Sequence, residues 1–218
     1  MLKAVRVPAM KNSKGFLTRN IFLSILVVMI IALAHDTKIV QIGSQEDQRL
    51  AAFDPNIFGV TEFPRISEAV RARAVEAAVL AEEIKDDKKA AIKKHGTPGG
   101  IGAYMPVYLK GVLSEGKSGI FDVLVEGMPK GTRLRVQTGP AINGTELRDI
   151  TGDIVFGAFK NQIEFQDAGA GINRAMASAV LTDLNRDTLK GRSVSVVGVF
   201  NLINPKNWLI TPVSLELN

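Results

Sequence analysis

The chain contains no cysteine in its 218 residues. Disulfide staples, thiol catalysis, thiolate metal sites and lipid attachment at a cysteine are therefore excluded. Histidine is nearly as scarce, with only His35 and His95. Neither has a second ligand at a recognisable spacing, so no metal site is expected. Aromatic residues are few: Trp208, Tyr104, Tyr108 and ten phenylalanines. Acidic residues are missing from one whole stretch, residues 1–34, which carries Lys3, Arg6, Lys11, Lys14 and Arg19. Setting that segment aside leaves 22 basic and 22 acidic residues, so the net charge of +5 belongs to the leader. A neutral body with few rings lacks the cations and stacking platforms of a nucleic-acid groove, and no nucleic-acid partner is expected.

The one long apolar run, Ile21 to Ala34, follows Lys14 and Arg19. Its 14 residues would make a helix about 21 Å long, short of the roughly 30 Å hydrocarbon core of a bilayer. Ala32-Leu33-Ala34 has the small-x-small form of a signal-peptidase site. Residues 1–34 are therefore read as a signal peptide cleaved before His35, with an uncleaved membrane anchor as the alternative. Either way the cationic end stays cytoplasmic and the bulk of the chain is delivered to the periplasm.

Residues 35–96 read as a helical subdomain. Lys38 to Ile42 is a candidate strand, and Ser44 with Asp47 suggests a helix cap before Leu50, Ala51 and Phe53. Asp54-Pro55-Asn56 should end that turn. Residues 60–95 hold no glycine, and Pro64 stands where a helix can begin. Ile66, Ala69, Val70, Ala74, Ala77, Ala78, Ala81 and Ile84 then recur at helical spacing. Glu82 to Lys94 is a mixed-charge run of the kind found on solvated helix faces, and Gly96 terminates it.

Composition changes at Gly96: 17 of the 20 glycines lie from there to the end. A subdomain boundary is placed near residue 97. Beyond it, Tyr104–Leu113 and Ile120–Val125 read as strands joined by the loop Ser114–Gly119. Thr132–Thr138 alternates cleanly, and Asp153–Phe156 is a short extended candidate. A helix is expected from Phe159 to Asp183, weakened by Gly169 and Gly171, which suggest close packing, a kink or a break. Ser193–Phe200 and Trp208–Leu217 close the chain as strands. Strand, strand, strand, helix, strand, strand is the order of a five-stranded Greek-key barrel of the oligonucleotide/oligosaccharide-binding (OB) type. The expected class is thus α+β, a helical N-terminal segment and then an OB-like β domain over 97–218. A curved antiparallel sheet packed on the helices is the alternative.

One stretch concentrates polar side chains among apolar anchors: Arg148, Asp149, Asn161, Gln162, Glu164 and Asn173. Arg148 is placed to pair with Glu164 or Asp149 and brace the loop against the helix. A ligand site built on Arg148, Asn161 and Gln162 is the functional alternative and would suit a sugar or a small anion. Asp149 with Glu164 could form an acid/base pair, but nothing in their spacing singles it out. No nucleophile, metal-hydrolase or phosphate-loop motif is present, and no catalytic residue and no cofactor are assigned.

Lys38-Ile39-Val40, the run from Val136 through Gly139-Pro140, Gly144-Thr145 and Leu147-Arg148-Asp149, then Asn161-Gln162-Ile163-Glu164-Phe165, Asn173, Leu189-x-Gly191 and Ile210-Thr211-Pro212-Val213 together resemble the DUF2291 family. That family consists of predicted bacterial periplasmic lipoproteins of unknown function, whose genes often lie beside those of sugar ABC transporters. The resemblance implies a non-enzymatic periplasmic accessory or binding protein, with transporter components or a small carbohydrate as partner. A structural envelope protein and an enzyme of unknown class, such as a hydrolase, are the alternatives. Where the family carries its lipid-bearing cysteine, directly before Lys-Ile-Val, this chain has Thr37, which cannot form the thioether.

Overall fold

The computed structural model describes residues 14–37 and 53–218. The candidate strand at 38–42 and the Ser44 cap lie outside the described residues. The first helix, α1, spans Lys14–Asp36, and the apolar residues from Ile21 to Leu33 are exposed around its whole circumference. Thr37 closes it, donating from its hydroxyl to the Leu33 carbonyl at 2.6 Å. Among the described residues no helix is long and apolar enough to cross a membrane.

Residues 53–218 form a single compact unit, and the boundary drawn at residue 97 falls inside it. The helical segment differs from expectation in two ways. Asp54-Pro55-Asn56 starts a helix rather than ending one. Asp54 accepts from the Asn56 and Ile57 amides at 2.8 and 3.2 Å, and Pro55 occupies the first turn, where a missing N–H costs nothing. This helix, α2 (Pro55–Arg73), runs through Pro64. The second difference is a break after Arg73. Val75–Glu76 is extended (β1) and pairs in parallel with Val107 and Tyr108 before α3 (Ala77–His95) begins. The alanine-rich periodicity that reads as one helix thus belongs to two.

After β2 (Thr97–Pro98) come β3 (Ala103–Lys117), β4 (Ile120–Leu124) and β5 (Arg133–Gln137). A short helix α4 (Glu146–Asp149) and the long α5 (Gln162–Val180) follow, then β6 (Ser193–Asn201) and β7 (Asn207–Leu217). The sheet is mixed and has seven strands, not five, because the two-residue β1 and β2 flank β3. Its longer strands pair in the order β3, β4, β5, β7, β6, and β6 pairs back onto β3. β5 and β7 run parallel, and the other pairs in this ring are antiparallel. The loop expected at Ser114–Gly119 shrinks to a turn at Ser118-Gly119, since an irregularity between Leu113 and Gly116 lets β3 continue. Asp153–Phe156 is not a strand; a 3₁₀ turn occupies Phe156–Ala158.

Alternation along the strands creates two cores. Inside the ring, Met105, Leu109, Phe121, Leu134, Val136 and Trp208 are buried together with Leu80 and Ile84 of α3. Trp208 stacks on Phe200 at 4.2 Å, and its indole donates to the Pro205 carbonyl, so the buried ring has its polar edge satisfied. On the outer face, Val199 and Val213 meet Ile66 and Val70 of α2, Ile172 and Met176 of α5, and Leu147 and Ile150 around α4. The second core fixes α4 and α5 beside the loop after β5, where the polar residues gather.

Candidate functional site

β5 ends at Gln137, whose side chain turns away from the barrel interior, yet is 1 % exposed because the following loop folds over it. Its amide nitrogen donates to the Asn143 carbonyl at 2.9 Å and to the Thr211 hydroxyl at 2.8 Å, while its oxygen accepts from the Asn143 amide at 3.0 Å. This side chain therefore satisfies both backbone groups of Asn143 and sets the path of the loop into α4. Thr211 in turn donates to Glu146 at 3.4 Å. Burial, reinforced by the charge of nearby Asp149, pushes the Glu146 carboxyl above its ordinary range.

Arg148 and Asp149 form the centre of the loop–helix junction. The Arg148 guanidinium donates through Nε and Nη2 to the two oxygens of Asp149 at 2.7 and 3.1 Å, and through Nη1 to the Phe165 carbonyl in α5 at 3.0 Å. It also lies over the Phe165 ring, 3.7 Å from the centroid. Asp149 is further bonded by the hydroxyls of Thr145 at 2.6 Å and Tyr104 at 2.8 Å. Burial of the Tyr104 phenol raises its pKa. This is a largely buried ion pair, hydrogen-bonded through every guanidinium nitrogen and both carboxylate oxygens, and it joins α4, α5 and β3.

The other expected residues divide in role. The Asn161 side chain caps α5, accepting from the Ile163 and Glu164 amides, both at 2.9 Å. Glu164 folds back to accept from the Lys160 amide at 3.0 Å. Neither lies in the wall of the adjacent cleft. Asp149 and Glu164 bond to different partners, Asp149 to Arg148, Thr145 and Tyr104 and Glu164 to the Lys160 amide. Asn173 is buried and donates to the Gly144 carbonyl at 2.9 Å, holding the loop on α5.

What remains is an open cleft of about 440 Å³ between the loop and α5. Its walls include Asn143, Thr145, Arg148, Gln162, Gln166 and Asn173. Gln162 and Gln166 lie one helical turn apart and are exposed. Among the described residues no partner engages either carboxamide. Each offers a donor pair and an acceptor, while Arg148, though in the wall, has its fork committed to Asp149 and Phe165. Of the six residues singled out in the sequence, the structure brings Arg148, Gln162 and Asn173 to the wall of this cleft and not Asp149, Asn161 or Glu164. Sequence reasoning missed Gln137, Thr211 and Glu146, whose burial depends on a loop closing over a strand face that reads as polar.

The five longer strands of the seven-stranded sheet close on themselves in the ring order above, with α4 and α5 between β5 and β6. A crystal structure of an OB-fold protein from Thermotoga maritima MSB8 is similar, with a TM-score of 0.62 at 18% identity over 77% of this chain and 99% of that one. That likeness is one of fold. Residues 26–216 match the family model described as predicted periplasmic lipoprotein (DUF2291), and the chain belongs to that family. No curated protein matches it.

Proposed function

We propose that the protein is a non-enzymatic periplasmic accessory protein that binds a small polar solute, a carbohydrate, in service of an ABC-type uptake system. The family's periplasmic description supports the compartment. The observation that carries the binding role is the pair of unengaged carboxamides, Gln162 and Gln166, on one wall of a cleft whose other groups are fixed by the fold. Exposed amides that offer both donors and acceptors suit hydroxyl-rich ligands, which need orientation rather than charge neutralisation. Residues 1–34 direct export, and the body is either released by cleavage near Ala34 or kept at the inner membrane. Lipidation at residue 37 is chemically closed, because the chain has no cysteine. Thermal-shift measurements against pentoses, hexoses and transporter components test the reading. A positive shift lost in Gln162→Ala/Gln166→Ala supports it; no shift with any of them counts against it.

The engagement of every Arg148 guanidinium nitrogen within the fold favours a second reading, in which the protein is a structural envelope component and its polar cluster is only a brace. In that case no ligand shifts the melting temperature, and the cluster's substitutions change stability alone.

A further inference from the structure

Half of the ten phenylalanines form one connected cluster at the start of α2 and α5, with Phe58 packed on the edge of the second core and the other four outside both cores. Phe53, Phe58 and Phe159 contact one another with centroids 5.4 to 5.6 Å apart. Phe159 meets Phe165 at 5.4 Å, and Phe165 meets Phe156 at 5.8 Å. None of the five is fully buried, and Phe156 is 50% exposed. On the same short segments Ile57, Val155 and Ile163 are 67%, 54% and 70% exposed. A soluble surface seldom gathers so much aromatic and aliphatic side chain without a use.

We infer that this patch rests on the surface of the lipid bilayer, holding the body against the membrane to which the leader tethers it. The inference rests on the anchored form of the reading above. Phe53, a member of the cluster, begins the compact unit, so the chain arrives from α1 at the patch itself. The apolar run of α1 is short, and a single short hydrophobic anchor attaches weakly. A second apolar contact on the same chain strengthens attachment through effective concentration. Basic charge does not draw it there. Asp153 pairs with Arg65, and of the other charged groups on these segments Asp54, Glu164 and Asp167 are acidic against Lys160 and Arg174, so no cationic cluster faces anionic headgroups. The patch therefore engages acyl chains rather than anionic headgroups.

The absence of cysteine gives a direct test. In the full chain, I163C in the patch and K130C in the β4–β5 loop are each labelled with a polarity-sensitive fluorophore and reconstituted into phosphatidylcholine vesicles with brominated acyl chains. The patch label should lose about half its emission or more, consistent with an apolar face seated about 5–10 Å into the interface. The K130C label should be unaffected, and raising the salt should change neither. Adding the exposed-site change F156D should abolish the quenching at residue 163 while the protein stays with the vesicles. If the full chain does not associate with vesicles, the anchored reading fails and the inference falls with it. Association without quenching at residue 163 overturns the inference alone, as does a label response that depends on protein concentration rather than on lipid bromination.

Discussion

Gly59 of α2 and Gly171 of α5 meet backbone to backbone: a Cβ on Gly59 would stand 2.2 Å from the Gly171 carbonyl oxygen. A Cβ on Gly171 would stand 1.8 Å from the carbonyl oxygen of Pro55. The two glycines allow α2 and α5 to approach closely enough to bury Ile66, Val70, Ile172 and Met176 between them and the sheet. Ordinarily Gly to Ala in a helix stabilises by about 1 kcal/mol. Here Gly59→Ala and Gly171→Ala should each destabilise by about 1–3 kcal/mol, because the helices must separate. Gly169→Ala is the control. Its Cβ would meet only Arg148 side-chain atoms, the nearest at 3.7 Å, so it should be neutral or stabilising by up to about 1 kcal/mol. Urea denaturation of the three variants checks the contrast. A stabilising Gly171→Ala would refute the close approach.

Arg148→Ala removes the fork that joins Asp149 to the Phe165 carbonyl and leaves a largely buried carboxylate with only two hydroxyl donors. A loss of about 1–3 kcal/mol is expected. Arg148→Lys should recover only part of it, since an ammonium cannot reproduce the planar, forked geometry. Equal stability of wild type, Arg148→Ala and Arg148→Lys in chemical denaturation would show that the junction contributes nothing.

The strands were legible because half-buried strands alternate: Leu134 and Val136 point into the barrel, and Arg133 and Arg135 do not. The helix after Asn161 was legible from its apolar stripe, although its first turn had to await the cap. The break at Ala74–Glu76 was hidden, because Val75-Glu76 sits between alanines that favour a helix on both sides, and only pairing with Val107 and Tyr108 holds it extended. The role of Pro55 was hidden for a related reason. Asp-Pro-Asn reads as a stop, and the same residues serve as a cap and first turn once the chain continues into α2. At the polar cluster, residue types marked a polar stretch but neither which of its members line the cleft nor their division of labour. Whether an arginine is spent on its neighbour or offered to a ligand depends on tertiary placement, and so does the burial of Gln137.

That division can be separated by experiment. Asn161 is a helix cap, so Asn161→Ala should cost about 1 kcal/mol in stability and leave solute binding intact when measured well below the melting temperature. Gln162→Ala should do the reverse, with stability within about 0.5 kcal/mol of wild type, because the side chain is exposed and unengaged. Calorimetric unfolding scans with and without sugar would separate the two behaviours. A destabilised Gln162→Ala would move that residue from the cleft wall into the brace.

Glu146 supplies a pH signature of opposite sign to that of an ordinary salt-bridged acid. Its folded-state pKa is raised from the usual 4.5, chiefly by burial, so between pH 4.5 and that raised value the folded chain holds a proton that the unfolded chain has released. Its contribution to stability is complete below about pH 4.5 and declines as the pH rises through the folded pKa. Glu146→Gln keeps the shape and an acceptor for Thr211 while abolishing the titration. The variant should be more stable than wild type at pH 7, and the gap should close as the pH is lowered toward 4.5. Asp122, which Arg133 holds below the ordinary range with bonds of 2.6 and 2.8 Å, acts the other way and loses stabilisation as pH falls. It is largely solvent-screened, and because it is present in both proteins it cancels from the comparison. Melting temperatures of the pair across pH 4 to 8 measure the difference. A gap that widens on acidification would mean that Glu146 is stabilised as a carboxylate and that its burial is not the dominant influence.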